Sequence, residues 1–157
     1  MTHRLFLFTV TLLAAMILVA TMCFPQEQSL KKKDVPKAIM TAFKTSYPKA
    51  TIKGYSKETD QGTVVYEVES VEGTTHRDIT YTADGAVVSF EESLAYKDLP
   101  QPVRDALMKE YPKAKVSICE KVIKGSTTQF ELLVKSGKQK LELVYNADGT
   151  LAEKEKK

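Results

Sequence analysis

Cysteine, histidine and tryptophan are nearly absent from this chain of 157 residues. It holds two cysteines, two histidines and no tryptophan. Cys23 falls in an N-terminal apolar segment, so Cys119 has no partner for an internal disulfide, and the fold must depend on its apolar core. One histidine, His76, and one cysteine, Cys119, are too few to form a zinc site made of His and Cys ligands. The formal net charge of +3 is too small to indicate nucleic-acid binding.

The residue types that carry catalysis are equally sparse. A hydrolase needs a nucleophile, a base and an oxyanion site in one pocket. Alternation places His76 on an exposed strand face, and Cys119 belongs to a different strand. No glycine-rich phosphate-binding loop occurs. We therefore predict a protein that is not an enzyme and that has no cofactor and no metal site.

The first 26 residues have the order of an export signal. A basic start at Arg4 is followed by the apolar stretch Leu5–Ala20, then by Thr21-Met22-Cys23 and Pro25. The 20 residues of Leu5–Phe24 are also long enough for an uncleaved membrane anchor, and Cys23 leaves a lipid-modified cysteine as a third option. We predict a signal peptide over 1–26 and a periplasmic or secreted mature protein. Membrane contact is then confined to this segment, if it is kept or lipidated.

After residue 26 the chain repeats itself once at an offset of 64 residues. Aligning 27–90 with 91–154 gives 19 identities in 64 pairs, where chance gives about 4 at a matching rate of ~6%. Tyr47-Pro48-Lys49-Ala50 returns as Tyr111-Pro112-Lys113-Ala114, and Ala83-Asp84-Gly85 returns as Ala147-Asp148-Gly149. The mature protein is therefore predicted to contain two copies of one unit, over 27–90 and 91–157.

Each unit begins with a helix and continues with strands. Val35, Ile39, Ala42, Phe43 and Tyr47 lie on one helical face, and the second copy keeps this face. Alternating strands follow, and an Asp-Gly pair in each copy predicts a tight hairpin. A unit of 64 residues is marginal alone because small domains bury too little surface. We predict an α+β fold with two repeats, each a helix and a four-stranded antiparallel meander. Together they form an eight-stranded antiparallel sheet with both helices on one face.

The other sheet face is predicted to be open to solvent. Alternation assigns side chains of both copies to it, with Tyr55, Val65, Leu133 and Val144 as apolar anchors. This face is either a solvated sheet held by cross-strand charge pairs or a recognition surface. The candidate binding residues are Lys53, Tyr55, Lys57, Val65, Glu67, Glu69, His76, Asp78, Glu131, Leu133, Glu142 and Val144.

The chain resembles the PepSY-like group of exported bacterial domains. The resemblance rests on a helix, Tyr-Pro-Lys-Ala, alternating strands and a Tyr-x-Ala-Asp-Gly hairpin, which occur twice behind a signal. PepSY-like domains are similar to the β-lactamase inhibitor protein, whose open sheet face and loops grip the target enzyme. The resemblance implies a curved sheet backed by helices and a role in binding extracytoplasmic proteins. This chain lacks the disulfides of such inhibitors.

The leading hypothesis is an exported, non-enzymatic module that recognises a protein or peptide of the cell envelope on the open face. Inhibition of an envelope enzyme is the finer form of this hypothesis. The alternative is a structural or stress-related envelope protein without a defined ligand. No nucleic-acid partner is expected.

Overall fold

The computed structural model describes residues 27–60 and 62–157. The predicted signal peptide and the fate of Cys23 lie outside the described residues. Two helices are present: α1 (Lys37–Ser46) and α2 (Gln101–Glu110). The strands are β1 (Gln28–Ser29), β2 (Thr51–Asp60), β3 (Thr63–Glu72), β4 (Thr75–Tyr81), β5 (Val87–Ser93), β6 (Lys115–Lys124), β7 (Thr127–Ser136), β8 (Gln139–Asn146) and β9 (Leu151–Lys156). Within the described residues, neither helix has the length and apolar character that a membrane crossing requires.

The strands form one antiparallel sheet in which spatial order follows chain order, from β1 to β9. The α+β class and the two-repeat meander are confirmed, but the predicted eight strands are nine. The additional strand, β1, pairs Gln28 with Lys57, as Glu92 pairs with Lys121 at the end of β5. Gln28 and Glu92 are equivalent in the repeat, so β1 is the counterpart of the end of β5.

Both helices cover the same face of the sheet, as predicted. In the first repeat Ile39 and Phe43 of α1 pack on Val68 and Ile79. In the second, α2 packs on the equivalent strands through a core of the same kind. Phe90 of the first core pairs with Ile123 of β6. Cys119, on the same side of β6 four residues earlier, belongs to the second core. The shared β5–β6 ladder therefore joins two cores on one side.

Each helix begins after a proline and ends before a tyrosine. Pro36 and Pro100 occupy the N-cap positions without any side-chain cap. The fixed φ of proline suits a helix start, where the missing N–H leaves no bond unmade. The amide of Tyr111 donates to the Leu107 carbonyl to close the last turn of α2.

The two Asp-Gly hairpins lie against the helix starts. Gly149 has a φ of +86°, and a Cβ there would come within 2.5 Å of the Pro102 carbonyl oxygen. Gly85 has a φ of +90°, with 3.0 Å to the Ala38 carbonyl oxygen. Glycine is needed at both positions because it adopts positive φ and occupies no side-chain volume.

Candidate functional site

The sheet face opposite the helices, called the open face, carries most of the carboxylates of the strands. Glu67 and Glu69 of β3 and Asp78 of β4 lie on it in the first repeat, and Glu91 lies on it in β5, where the two repeats join. Glu120, Glu131, Glu142 and Glu155 follow on β6 to β9 in the second. We call these eight residues the acidic band.

Carboxylates face one another directly across several strand pairs of this band. The register pairs Glu69 with Asp78 and Asp78 with Glu91 in the first repeat. In the second, Glu120 is paired with Glu131, and Glu142 with Glu155 on the next strands. Like charges in such positions destabilise a sheet. The duplicated unit nevertheless keeps an acid at three equivalent pairs of positions: Glu67 and Glu131, Asp78 and Glu142, and Glu91 and Glu155.

Crowding and partial burial raise the pKa of carboxyl groups along the band. Desolvation is the main cause at Glu67, with Asp78 the largest charge contribution, and together they raise its pKa to about 7. Desolvation, followed by the charges of Glu142 and Glu120, likewise raises the pKa of Glu131 to about 7. Desolvation is also the main cause of the raised pKa of the Glu91 carboxyl. Glu67 and Glu131, which are equivalent in the repeat, therefore change protonation near neutral pH.

Few basic side chains neutralise the band. Lys157 lies 3.0 Å from Glu142 and 2.8 Å from Glu155. Among the described residues, no ion pair within 4.0 Å involves the other six members of the band. The helix-covered face differs, since Arg77 there contacts Glu72, Glu92 and the ring of Tyr47.

Two predicted members of the open face lie on the helix side instead. Tyr55 pairs with Val68 and packs in the first core, and Lys57 pairs with Tyr66. A β-bulge between Ile52 and Gly54 inserts one residue and inverts the alternation that placed them outward. Lys53, which is exposed, is the inserted residue. The open-face placement of Tyr55 and Lys57 was therefore wrong.

Val65 is on the open face but is not an exposed anchor. Its register with Glu58 places it there, yet it is only 4% exposed. It lines a small recess with Glu27, Ser56 and Glu67. The prediction of Val65 as an apolar contact residue for a partner is therefore corrected.

The remaining candidate residues lie on the open face, as predicted. The register puts Glu67, Glu69, His76, Asp78, Glu131, Leu133, Glu142 and Val144 on the open face. His76 is exposed, and the backbone N–H of His76 donates to the Ser93 hydroxyl. Their role in binding stays a prediction.

Alternation alone missed several open-face residues, among them Ile118, Glu120 and Glu91. Ile118 and Glu120 follow a second bulge between Val116 and Ile118, and Glu91 lies on the strand shared by the repeats. Gly54 was the available signal, because glycine inside a strand often marks a bulge. Transferring that bulge through the repeat to β6 predicts the outward side of Ile118.

Carboxylates of Glu27, Glu67 and Glu69 come together beside β1, with oxygen atoms within 4.8 Å of one another. Oxygen ligands at this spacing suit a hard cation such as Ca²⁺. The band is acidic along its whole length, however, so this cluster alone assigns no metal.

A notch opens where the two repeats meet. β5 ends at Ser93 and the chain leaves for α2, so the start of β4 and the middle of β6 flank an open volume of about 850 Å³. We call this volume the junction notch. Its lining includes His76, Ser93, Ile118, Cys119 and Glu120.

Cys119 and His76 both line the notch although they belong to different repeats. Cys119 is only 7% exposed and packs in the second core. Burial, followed by the charge of Glu120, raises the pKa of its thiol to about 11. A thiol nucleophile needs a lowered pKa, so the notch does not supply one.

Comparison with protein families identifies the class of the chain. A family model, PepSY_like, described as "Putative beta-lactamase-inhibitor-like, PepSY-like", matches residues 22–89 and 64–153. The chain belongs to this family. The two matched regions overlap over residues 64–89. A comparison with curated proteins finds no match.

Solved structures share the fold. A BLIP-like protein from Bacteroides fragilis is 24% identical, with a TM-score of 0.62 over 78% of this chain and 86% of that one. A DUF2874 family protein from Bacteroides ovatus is 20% identical, with a TM-score of 0.63 over 78% and 87%. A proposed periplasmic protein from Bacteroides eggerthii is 17% identical, with a TM-score of 0.65 over 78% and 88%.

Proposed function

We propose that this chain is an exported, non-enzymatic binding module that recognises a protein or peptide of the cell envelope on its open face. The acidic band is the observation that carries the proposal. A sheet face that only meets water is stabilised by opposite charges across its strands. Here like charges face one another and six of the eight carboxylates lack an ion pair within the described residues.

The arrangement of the fold supports the same use. One face is occupied by the two helices and their cores, whereas the opposite face is left free for a partner. Acids at equivalent positions, such as Glu67 and Glu131, are kept while most of the other pairs differ between the copies. Retention against a cost in stability favours a functional role for these side chains.

The absence of enzymatic activity is supported by the state of Cys119. Its protonated thiol is buried in the core, and His76 is an exposed strand residue without a carboxylate hydrogen bond among the described contacts. A nucleophile and base pair that acts in catalysis needs mutual hydrogen bonding and an activated nucleophile.

Export is supported by the N-terminal sequence pattern and by the likeness to the proposed periplasmic protein of Bacteroides eggerthii. The likeness to a BLIP-like protein makes inhibition of an envelope enzyme the finer form of the proposal.

Capture from envelope extract tests the proposal. Immobilised wild type is compared with Glu67→Lys/Glu131→Lys, which reverses one equivalent charge in each repeat. The matched control, Asp105→Lys/Glu110→Lys, makes the same charge change on the exposed surface of α2. We expect the open-face variant to lose proteins that the wild type and the control retain. Equal capture by all three contradicts the proposal.

A structural envelope protein without a defined ligand is the second candidate, and one observation favours it. With Tyr55 turned to the core, the described strands present no aromatic side chain on the open face. Aromatic anchors carry much of the binding energy at many interfaces. Under this alternative the open-face variant changes the stability of the protein and leaves capture unchanged.

A further inference from the structure

The open face of the second repeat has an apolar centre that the first repeat lacks. Ile118 and Leu133 face each other across β6 and β7, and Ile118 is 42% exposed. The equivalent pair in the first repeat is Gly54 and Glu69. Duplication therefore left one copy with aliphatic side chains where the other has a glycine and a charge.

Carboxylates border this apolar pair on one side, and Lys115, Lys135 and Lys140 occupy the open-face positions on the other. Glu142 is directly opposite Leu133, and Glu120 and Glu131 form the next pair along the same two strands. Only Glu142 of these three has an ion pair within the described residues, through Lys157. A segment that runs from this pair towards Glu120 and Glu131 would meet aliphatic side chains first and negative charge next.

The junction notch continues the same surface. Ile118 and Glu120 line its wall, with the hydroxyls of Ser93 and Ser117 and the carboxylate of Asp98 nearby. Its volume of about 850 Å³ is within the range of pockets that enclose small ligands or several side chains. The notch thus provides depth beside the strands of this face.

We infer that the partner is a basic segment with an aliphatic anchor, which docks on the second-repeat half of the open face with its anchor against Ile118 and Leu133 and its Lys or Arg side chains on Glu120 and Glu131. This inference rests on the proposed function and narrows it to one kind of partner. Charge complementarity carries the choice, because an acidic segment would add a further like charge to the band, whereas a basic one relieves the repulsion.

A titration with defined peptides tests the inference, with the ¹⁵N-labelled mature chain observed by NMR. The probe is acetyl-Lys-Lys-Leu-Lys-Lys-amide. Its comparators replace Leu by Ser, or all four Lys by Glu. We expect the probe to shift amide signals of β6 to β8, and the Ser peptide to bind about tenfold more weakly, as befits one partly buried aliphatic side chain. The Glu peptide should leave the amide signals of Glu120 and Glu131 unshifted.

Variants of the chain separate the anchor from the charges. Ile118→Ser/Leu133→Ser should reduce the affinity for the Leu peptide to that for the Ser peptide, whereas Met108→Ser should leave it unchanged. Met108 is a suitable control because it is similarly exposed, at 47%, on α2.

The charge variant Glu120→Gln/Glu131→Gln should lower the affinity for both basic peptides. Removal of the repulsion should nevertheless make this variant more stable than wild type. Asp105→Asn/Glu110→Gln, with the same charge change, should bind as wild type.

Several results overturn the inference. One is equal binding of the acidic and basic peptides, and another is an affinity that the open-face variants leave unchanged. A third is concentration-dependent sedimentation of the wild type that Ile118→Ser/Leu133→Ser abolishes, since the face then binds a second copy of the chain. The capture experiment distinguishes this failure from failure of the proposed function. If captured proteins depend on Glu67 and Glu131 but the basic peptide does not bind, the open face binds a partner of other chemistry.

Discussion

Glu120 and Glu131 face each other directly across β6 and β7, with both carboxylates on the sheet face that no helix covers. The charge of Glu120 contributes to the raised pKa of Glu131. A contact of this kind opposes folding at neutral pH. Its consequences for stability, reactivity and binding can be measured separately.

The stability of the protein should decrease as pH rises from about 5 to 8. The pKa of Glu67 and of Glu131 is about 7 in the folded state, against 4.5 for an ordinary glutamate. Their contribution is fully present below the unfolded pKa and is lost as pH rises through the folded pKa. Because both side chains are partly exposed, solvent screening limits the loss to about 1 kcal/mol each. Urea unfolding at each pH measures it.

The matched variants define this effect. Glu67→Gln/Glu131→Gln should flatten the dependence of unfolding free energy on pH, with a gain of about 2 kcal/mol at pH 8 and no change near pH 4. Asp105→Asn/Glu110→Gln should keep the wild-type slope. A wild-type chain that is more stable at pH 8 than at pH 5 would show that the carboxylates of the band do not repel one another.

The thiol of Cys119 should react slowly. Its pKa of about 11, raised from 9.0, lowers the thiolate fraction at pH 8 about 100-fold relative to an ordinary cysteine. Iodoacetamide labelling of chain 27–157, followed by mass spectrometry, measures the rate against free cysteine. Labelling as fast as free cysteine would restore Cys119 and His76 as a possible catalytic pair in the junction notch.

Gly149→Ala should destabilise the protein more than Gly137→Ala. Both glycines have positive φ, at +86° and +60°, so alanine costs about 1 kcal/mol at either position. At Gly149 the new Cβ also meets the Pro102 carbonyl oxygen at 2.5 Å, whereas nothing lies within 4 Å at Gly137. We expect a total cost of roughly 3 kcal/mol for Gly149→Ala. Equal losses by urea unfolding would mean that the second hairpin does not lie against α2.

Tyr145→Phe should leave stability unchanged or raise it by up to about 1 kcal/mol. Tyr145 is 1% exposed, and its Oη has no hydrogen-bond partner among the described residues. Removal of a buried, unpaired hydroxyl abolishes a desolvation cost without loss of a bond. Tyr145→Ala, which removes the ring, should cost about 3–5 kcal/mol. A loss above 1 kcal/mol in the phenylalanine variant would reveal a partner for the hydroxyl.

The repeat made most of the fold predictable from sequence. Val35, Ile39 and Phe43 define a helical face by spacing alone, and Asp84-Gly85 fixes a hairpin by the conformational freedom of glycine. Two helices over one side of a shared sheet follow from the marginal size of each unit. β1 was missed because a strand of two residues has no periodicity, although Ser29-Leu30 matches Ser93-Leu94 at the end of β5.

The open face was only partly predictable. Strict alternation fails after a bulge, and one inserted residue at Lys53 moved Tyr55 to the core. The equivalent insertion in β6 brought Ile118 and Glu120 outward. The burial of Val65 and the pairing of Glu142 with Lys157 depend on contacts between distant segments, which no local pattern encodes.

Site-specific photo-crosslinking in the cell envelope can locate the surface on which a partner docks. A photoreactive phenylalanine analogue replaces Glu67 or Val144 on the open face, or Lys44 or Met108 on the outer surfaces of the helices. We expect adducts to a partner protein from the two open-face positions and none from the two helix positions. Adducts from Lys44 or Met108 alone would place the docking surface on the helices and rule out recognition on the open face.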